Sequence, residues 1–240
     1  GGESGGGSYH SIFDSFDHYT RFIDPTFEYG IALAQTAGRA VLRLADAELL
    51  PWDFTAFEAT VTRYADEVIA LTDDMREETK RQNRLLRDGR FELAADPTKT
   101  YAPPDADDPV PHLNFAPVRN ALVDLAASAR AHDVARRALV AADDSLSTDQ
   151  AREVDKILFR TERAMTHPDG LPGRSWFIHQ IYAPGFYTGY GVKTLPGVRE
   201  AIEERAWEEA QRQIARLADT IYQVASEVDR ATQFLEPAGP

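Results

Sequence analysis

Residues 207–231 read WEEAQRQIARLADTIYQVASEVDRA, and their spacing decides the fold. Trp207, Ile214, Leu217, Ile221, Val224, Val228 and Ala231 recur at helical intervals, so one stripe of a 3.6-residue helix carries them while the charged residues face away. Such a stripe is stable only when covered, and a stripe of this length reads first as the seam of a helical bundle rather than as an interface. The rest of the chain supplies further helices. Pro196-Gly197 opens the same region, with a break expected near Arg205. Ser147 with Gln150 three residues on forms a capping box for a helix to about Met165. A helix over Pro117–Ala142 carries Val118, Leu122, Leu125, Ala129 and Val134, and one from Asp53 to about Leu86, closed by Gly89, carries Phe57, Val61, Tyr64, Val68 and Leu71. Asp24-Pro25 reads as a cap and first helical residue, followed by Phe27, Ile31, Ala34, Ala37, Val41, Leu44 and Ala45 and a stop near Pro51. The expected fold class is mainly α, an antiparallel helical bundle.

Two stretches interrupt the helices. Residues 97–111 hold Pro97, Pro103, Pro104, Pro109 and Pro111 among aspartates and read as an extended surface loop. Its Asp105–Asp108 run lacks the glycine and distal glutamate of a calcium loop. Residues 167–197, rich in glycine, proline and aromatics, read as a long ordered loop.

Composition narrows the function. A net charge of −13 over 240 residues argues against nucleic acid as a partner, because neutralising phosphates needs a basic face. Cysteine is absent, which removes disulfides, thiolate zinc sites and cysteine nucleophiles together. No apolar run approaches the roughly 20 residues that span a bilayer. No signal peptide is legible, so any export address of a parent protein lies upstream of Gly1, and the compartment stays open.

Local motifs supply no complete catalytic centre. Gly2-Glu3-Ser4-Gly5-Gly6 matches the G-x-S-x-G pattern of a nucleophile elbow, but in a glycine run without the strand and helix that hold the serine in its turn, so it reads as a chance match. No two of the six histidines His10, His18, His112, His132, His167 and His179 lie four apart, so no helix presents a pair of ring nitrogens to a metal. On spacing alone each is a structural or surface residue.

Several blocks taken in order say more. Tyr9-His10-Ser11-Ile12-Phe13-Asp14-Ser15, then Phe22-Ile23-Asp24-Pro25-Thr26-Phe27, resemble the YHS block and the F-x-D-P-x-F that follows it in zinc exopeptidases of the glutamate carboxypeptidase II and transferrin receptor family. Leu33-Ala34-Gln35 through Leu50-Pro51-Trp52-Asp53, Glu162-Arg163-Ala164, Gly170-Leu171-Pro172-Gly173-Arg174, Ile181-Tyr182-Ala183-Pro184, Leu195-Pro196-Gly197 and Gln211-Arg212-Gln213-Ile214 continue the resemblance in the same order.

The resemblance implies a short α/β zinc-peptidase remnant over residues 1–23 and a helical, transferrin receptor-like dimerisation domain over residues 24–240 that pairs as a homodimer. It implies that His10 is the last ligand of a site for two zinc ions, with the remaining ligands and the general base outside this chain. It implies that Tyr9 lines the pocket for a peptide substrate's C-terminal residue and that Tyr190 hydrogen-bonds its terminal carboxylate. It gives no catalytic residue within the chain. Alone, the chain is expected to be inactive and to hold zinc weakly. Joined to the missing catalytic domain it would form part of an active carboxypeptidase or aminopeptidase, and the alternative is a receptor-like binding protein without catalysis. Gly189 departs from the lysine that glutamate-specific members carry, so a preference for C-terminal glutamate loses part of its basis.

Overall fold

The computed structural model describes residues 9–141, 146–189 and 191–235. Two compact units divide the chain, one ending at Pro51 and one beginning at Trp52.

In the first unit a short helix α1 (Phe16–His18) widens into a π-helical turn over Tyr19–Ile23, and α2 follows at Glu28–Ala45. The expected start at Asp24-Pro25 is corrected here. The N-cap is Phe27, in the left-handed region at φ 59°, and Asp24 caps from three residues further out. Its buried carboxylate accepts from the backbone N–H of Tyr29 (3.3 Å) and Gly30 (2.8 Å) and from the Tyr19 hydroxyl (3.0 Å). A β-carbon on Gly30 would stand 3.3 Å from that hydroxyl, so glycine gives the cap its room. Burial pushes the Asp24 carboxyl up, but the Gly30 N–H, the Tyr19 hydroxyl and further backbone donors outweigh it and hold the group below its ordinary range. The cap secures the helix, yet no residue of α2 is buried. Ile31, Val41 and Leu44, expected to be covered, are 52%, 65% and 49% exposed.

The second unit is the bundle. Helices α3 (Phe54–Arg87), α5 (Ala116–Ala141), α6 (Thr148–Ala164) and α8 (Trp207–Leu235) form it, with short α4 (Arg90–Ala94) after α3 and α7 (Pro196–Glu203) before α8. The Asp53 carboxylate accepts from Ala56 N–H at the start of α3, and Gly89, at φ 62°, ends that region. The capping box of Ser147 and Gln150 is present at α6, and Arg205, at φ 57°, makes the break between α7 and α8.

Consecutive long helices alternate in direction, as expected, but α8 lies parallel beside α5. Asn114 N–H meets Gln211 at one end and His132 meets Thr232 near the other, a nearly constant offset along the chain. Leu125, Val154, Leu158, Ile202, Ile214, Ile221, Val224 and Val228 fill the centre at 1% exposure or less, apart from Ile221 at 2%. Each large apolar side chain so buried contributes about 1.5–3 kcal/mol.

The α5 stripe differs by one residue from the expected one. Val134 is 66% exposed, and His132 takes the buried place, because it continues the four-three spacing of Val118, Leu122, Leu125 and Ala129. The proline-rich stretch lies extended across α3. Arg76 donates to the carbonyls of Val110 (3.3 Å) and Pro111 (2.9 Å), Asn83 pairs both ways with the Asp107 backbone, and Arg205 donates to Thr79 (2.8 Å).

Candidate functional site

Tyr9 and His10 stand at the head of the first unit. Their rings stack with centroids 4.0 Å apart, and both residues are exposed. His10 takes φ 58°, and its N–H donates to Asp14 at 3.3 Å, a local turn that holds the imidazole out from the backbone. A zinc site needs at least three protein ligands. Among the described residues no group of three or more His, Asp or Glu side chains stands close enough to hold a metal. His10 offers one imidazole, so the described residues do not make up a zinc centre, and no catalytic step follows from them.

The second candidate region belongs to the other unit. Strands β1 (Tyr182–Pro184) and β2 (Val192–Thr194) form an antiparallel hairpin with Ala183 opposite Lys193. Residues 185–191 connect them and include Tyr190, which lies outside the described residues. Gly185 N–H donates to Gly191 O at 2.9 Å, and Gly189 N–H donates to Gly185 O at 3.0 Å. Gly189 sits at φ 57° with open space where a β-carbon would be. Gly189 is thus left-handed here, in the region that glycine enters far more readily than other residues.

Three carboxylates hold this hairpin. Glu200 on α7 receives Arg174 Nη2 at 2.8 and 3.0 Å and the backbone N–H of Phe186 at 2.8 Å. Glu203 on the same helix takes Lys193 at 2.7 Å. Glu162 on α6 accepts from the Tyr182 hydroxyl at 2.9 Å, which raises that phenol above its ordinary pKa. His179 completes the third contact. Its Nδ1 accepts from the N–H groups of Ile181 and Tyr182 at 3.2 Å each, which fixes the proton on Nε2. Nε2 stands 3.3 Å from Glu162 but off the hydrogen-bond axis. Burial pushes the His179 imidazole below its ordinary pKa against the opposing pull of Glu162.

Sequence reading quoted Arg174 and Glu162 within recognisable blocks but gave neither a role, read His179 only as a structural or surface histidine, and did not single out Glu200 or Glu203. Ion pairs between a loop and a helix 26 residues on leave no period to read. The one available signal was an arginine inside a Gly-Leu-Pro-Gly turn, where an unpaired charge would be expensive to bury.

Residues 113–229 match the family model of the transferrin receptor-like dimerisation domain. The chain is 29% identical to the "Probable glutamate carboxypeptidase LAMP1" of Arabidopsis thaliana, over 89% of this chain and 26% of that protein. It is 26% identical to a "Probable glutamate carboxypeptidase" of Arthroderma benhamiae, over 90% of this chain and 25% of that one. It is 25% identical to the "Aminopeptidase NAALADL1" of Mus musculus, over 87% and 24%. The chain therefore spans about a quarter of the length of the curated relatives it matches.

Proposed function

The chain belongs to the glutamate carboxypeptidase II-like and transferrin receptor-like family, and from that premise we propose that it is the dimerisation and active-site-completing part of a zinc-dependent exopeptidase acting on peptides. The observation that carries this reading is α2. An amphipathic helix of 18 residues with none of them buried finds no cover within its own unit, and its stripe calls for partner polypeptide. The relatives' greater length supports a catalytic part of the same protein as that polypeptide. Residues 1–23 end the peptidase domain and 24–240 form the dimerisation domain by resemblance; the division after Pro51 favours carrying α2 with the peptidase side.

His10 supplies one neutral imidazole to a pair of zinc ions whose other ligands lie in that catalytic part. Tyr9 lines the pocket for the substrate's last residue, and Tyr190 donates its phenol to the terminal carboxylate, a bond a neutral phenol makes at physiological pH. The bundle pairs two copies. On this reading the chain alone is inactive.

Three measurements test the proposal. Zinc analysis of the purified chain should give well below one equivalent, and stoichiometric, tightly held zinc would contradict the reading. Light scattering should report a dimer, and a strict monomer at high concentration of the complete protein would count against it. In the complete protein, His10→Ala should abolish peptidase activity, and unchanged turnover would remove His10 from the metal centre.

A further inference from the structure

We infer that His179, Glu162 and Tyr182 form an acid-triggered latch, in which a second proton on His179 moves its ring from the backbone of strand β1 to the Glu162 carboxylate and frees the start of that strand from α6. The latch is independent of the function proposed above.

The neutral ring makes two contacts that a charged ring cannot keep. Its Nδ1 accepts from the N–H groups of Ile181 and Tyr182, at 3.2 Å each. An imidazolium is a donor at both nitrogens and accepts from nothing, so a proton on Nδ1 sets N–H against N–H. Nε2 is buried without a hydrogen-bond partner among the described residues, 3.3 Å from Glu162 Oε1. That same oxygen accepts from the Tyr182 hydroxyl at 2.9 Å. A donor left unpaired in the interior costs free energy, and the carboxylate beside it offers a charge-assisted bond once the ring is charged. The three side chains therefore have two arrangements that exclude each other.

The backbone decides which part gives way. Ile178 O accepts from His167 N–H and Gln180 N–H donates to Met165 O, both at 2.8 Å, so His179 is tied to the end of α6 on either side. Tyr182, the first residue of β1, loses its N–H contact and its hydroxyl contact together when Glu162 turns to the histidine. Glu162 from α6 and Tyr182 from β1 are the titratable groups against the ring. Beyond Thr166, which bridges to His179, His167 has its Nδ1 on the Asp169 N–H at 3.2 Å and 3.7 Å from the Asp169 carboxylate. Arg163 of α6 lies over the Phe159 ring. Burial holds His179 below its ordinary value of 6.5 while Glu162 pulls it upward. The open arrangement binds the proton more readily, so the latch is closed above pH 6.5 and opens as the pH falls below it.

Imidazole nitrogen NMR and amide hydrogen exchange on this chain test the latch together. As the pH is lowered from about 7.5 to about 5, the His179 Nδ1 resonance should pass from its unprotonated to its protonated position. Exchange at the Ile181 and Tyr182 amides, corrected for the intrinsic effect of pH, should quicken about tenfold with the same midpoint. The amide of Val224, buried in α8, is the reference and should keep its protection. Glu162→Gln keeps the acceptor and removes the charge, so both midpoints should move to lower pH together. His179→Gln keeps an acceptor that takes no proton, so corrected exchange at the two amides should no longer depend on pH. A His179 that stays neutral throughout, or one that titrates without releasing the two amides, overturns the latch. Equal quickening at Val224 overturns it as well, because the loosening then belongs to the whole bundle. So does amide release that persists in His179→Gln. The unmutated chain decides the matter by itself where a variant fails to fold, and each of these failures leaves the proposed function standing.

Discussion

The two units carry helices of similar amphipathic pattern and treat them oppositely. In α8 the seam residues Ile214, Leu217, Ile221, Val224, Val228 and Ala231 are all buried, with Tyr222 and Phe234 left at the surface, whereas in α2 no apolar residue is buried. The difference teaches that periodicity reports a helix that needs a partner and says nothing about where the partner lies. The bundle finds its partners within the chain. The first unit holds its helix by a buried cap and leaves the stripe for something else.

The sharpest way to break this comparison is to cut the same kind of side chain from each unit. Ile214→Ala, at a fully buried position, should lower unfolding free energy by about 2–5 kcal/mol in denaturant titration, by lost burial and by the cavity left behind. Acidification should come next. His132 packs edge-on to Phe54 and contacts Thr232; burial first and the Arg136 charge second hold its pKa below 6.5, with Asp133 pulling upward. The unfolded chain then binds more protons than the folded one below pH 6.5. Bundle stability should be full above that value and decline as pH falls through it. Burial displaces His179 in the same sense, so His132→Gln should flatten the decline only in part.

Smaller effects sharpen the picture. Ser147→Ala removes the capping box of α6 and should cost about 1 kcal/mol by thermal melting. Gly189→Lys meets open space, so its cost of about 1 kcal/mol should come from the left-handed backbone alone, and Gly189→Ala should cost the same. Last, Val41→Ala on the open face of α2 should change the stability of this chain by less than about 0.5 kcal/mol. A larger loss would mean that α2 is covered after all.

What the sequence made legible was local. Asp53, Gly89, the Ser147–Gln150 box and the break at Arg205 each act within one turn, and each stands where its chemistry put it. Asp24 was misread because it reaches past a left-handed Phe27, a conformation that an aromatic residue does not advertise. Val134 was misread because an apolar side chain two positions off the seam outranks a histidine on it in any hydrophobic count. The parallel pairing of α5 and α8 and the carboxylates behind the hairpin depend on contacts far apart in sequence. Of the candidate site, sequence gave His10, Tyr9 and Tyr190 by resemblance; the grip of Arg174 and Glu200 on the loop was visible only in three dimensions.

The place of α8 in the chain has a temporal consequence. This helix of 29 residues, about 44 Å long, is the surface on which α5, α6 and α7 close, and it is the last of the bundle's described helices to leave a ribosome. His132 must wait for Thr232, one hundred residues later. Until then α5, α6 and α7 lack the surface that covers their stripes, so the bundle closes only once α8 has been made. A premature stop after α7 would release most of the helices without the surface that gathers them.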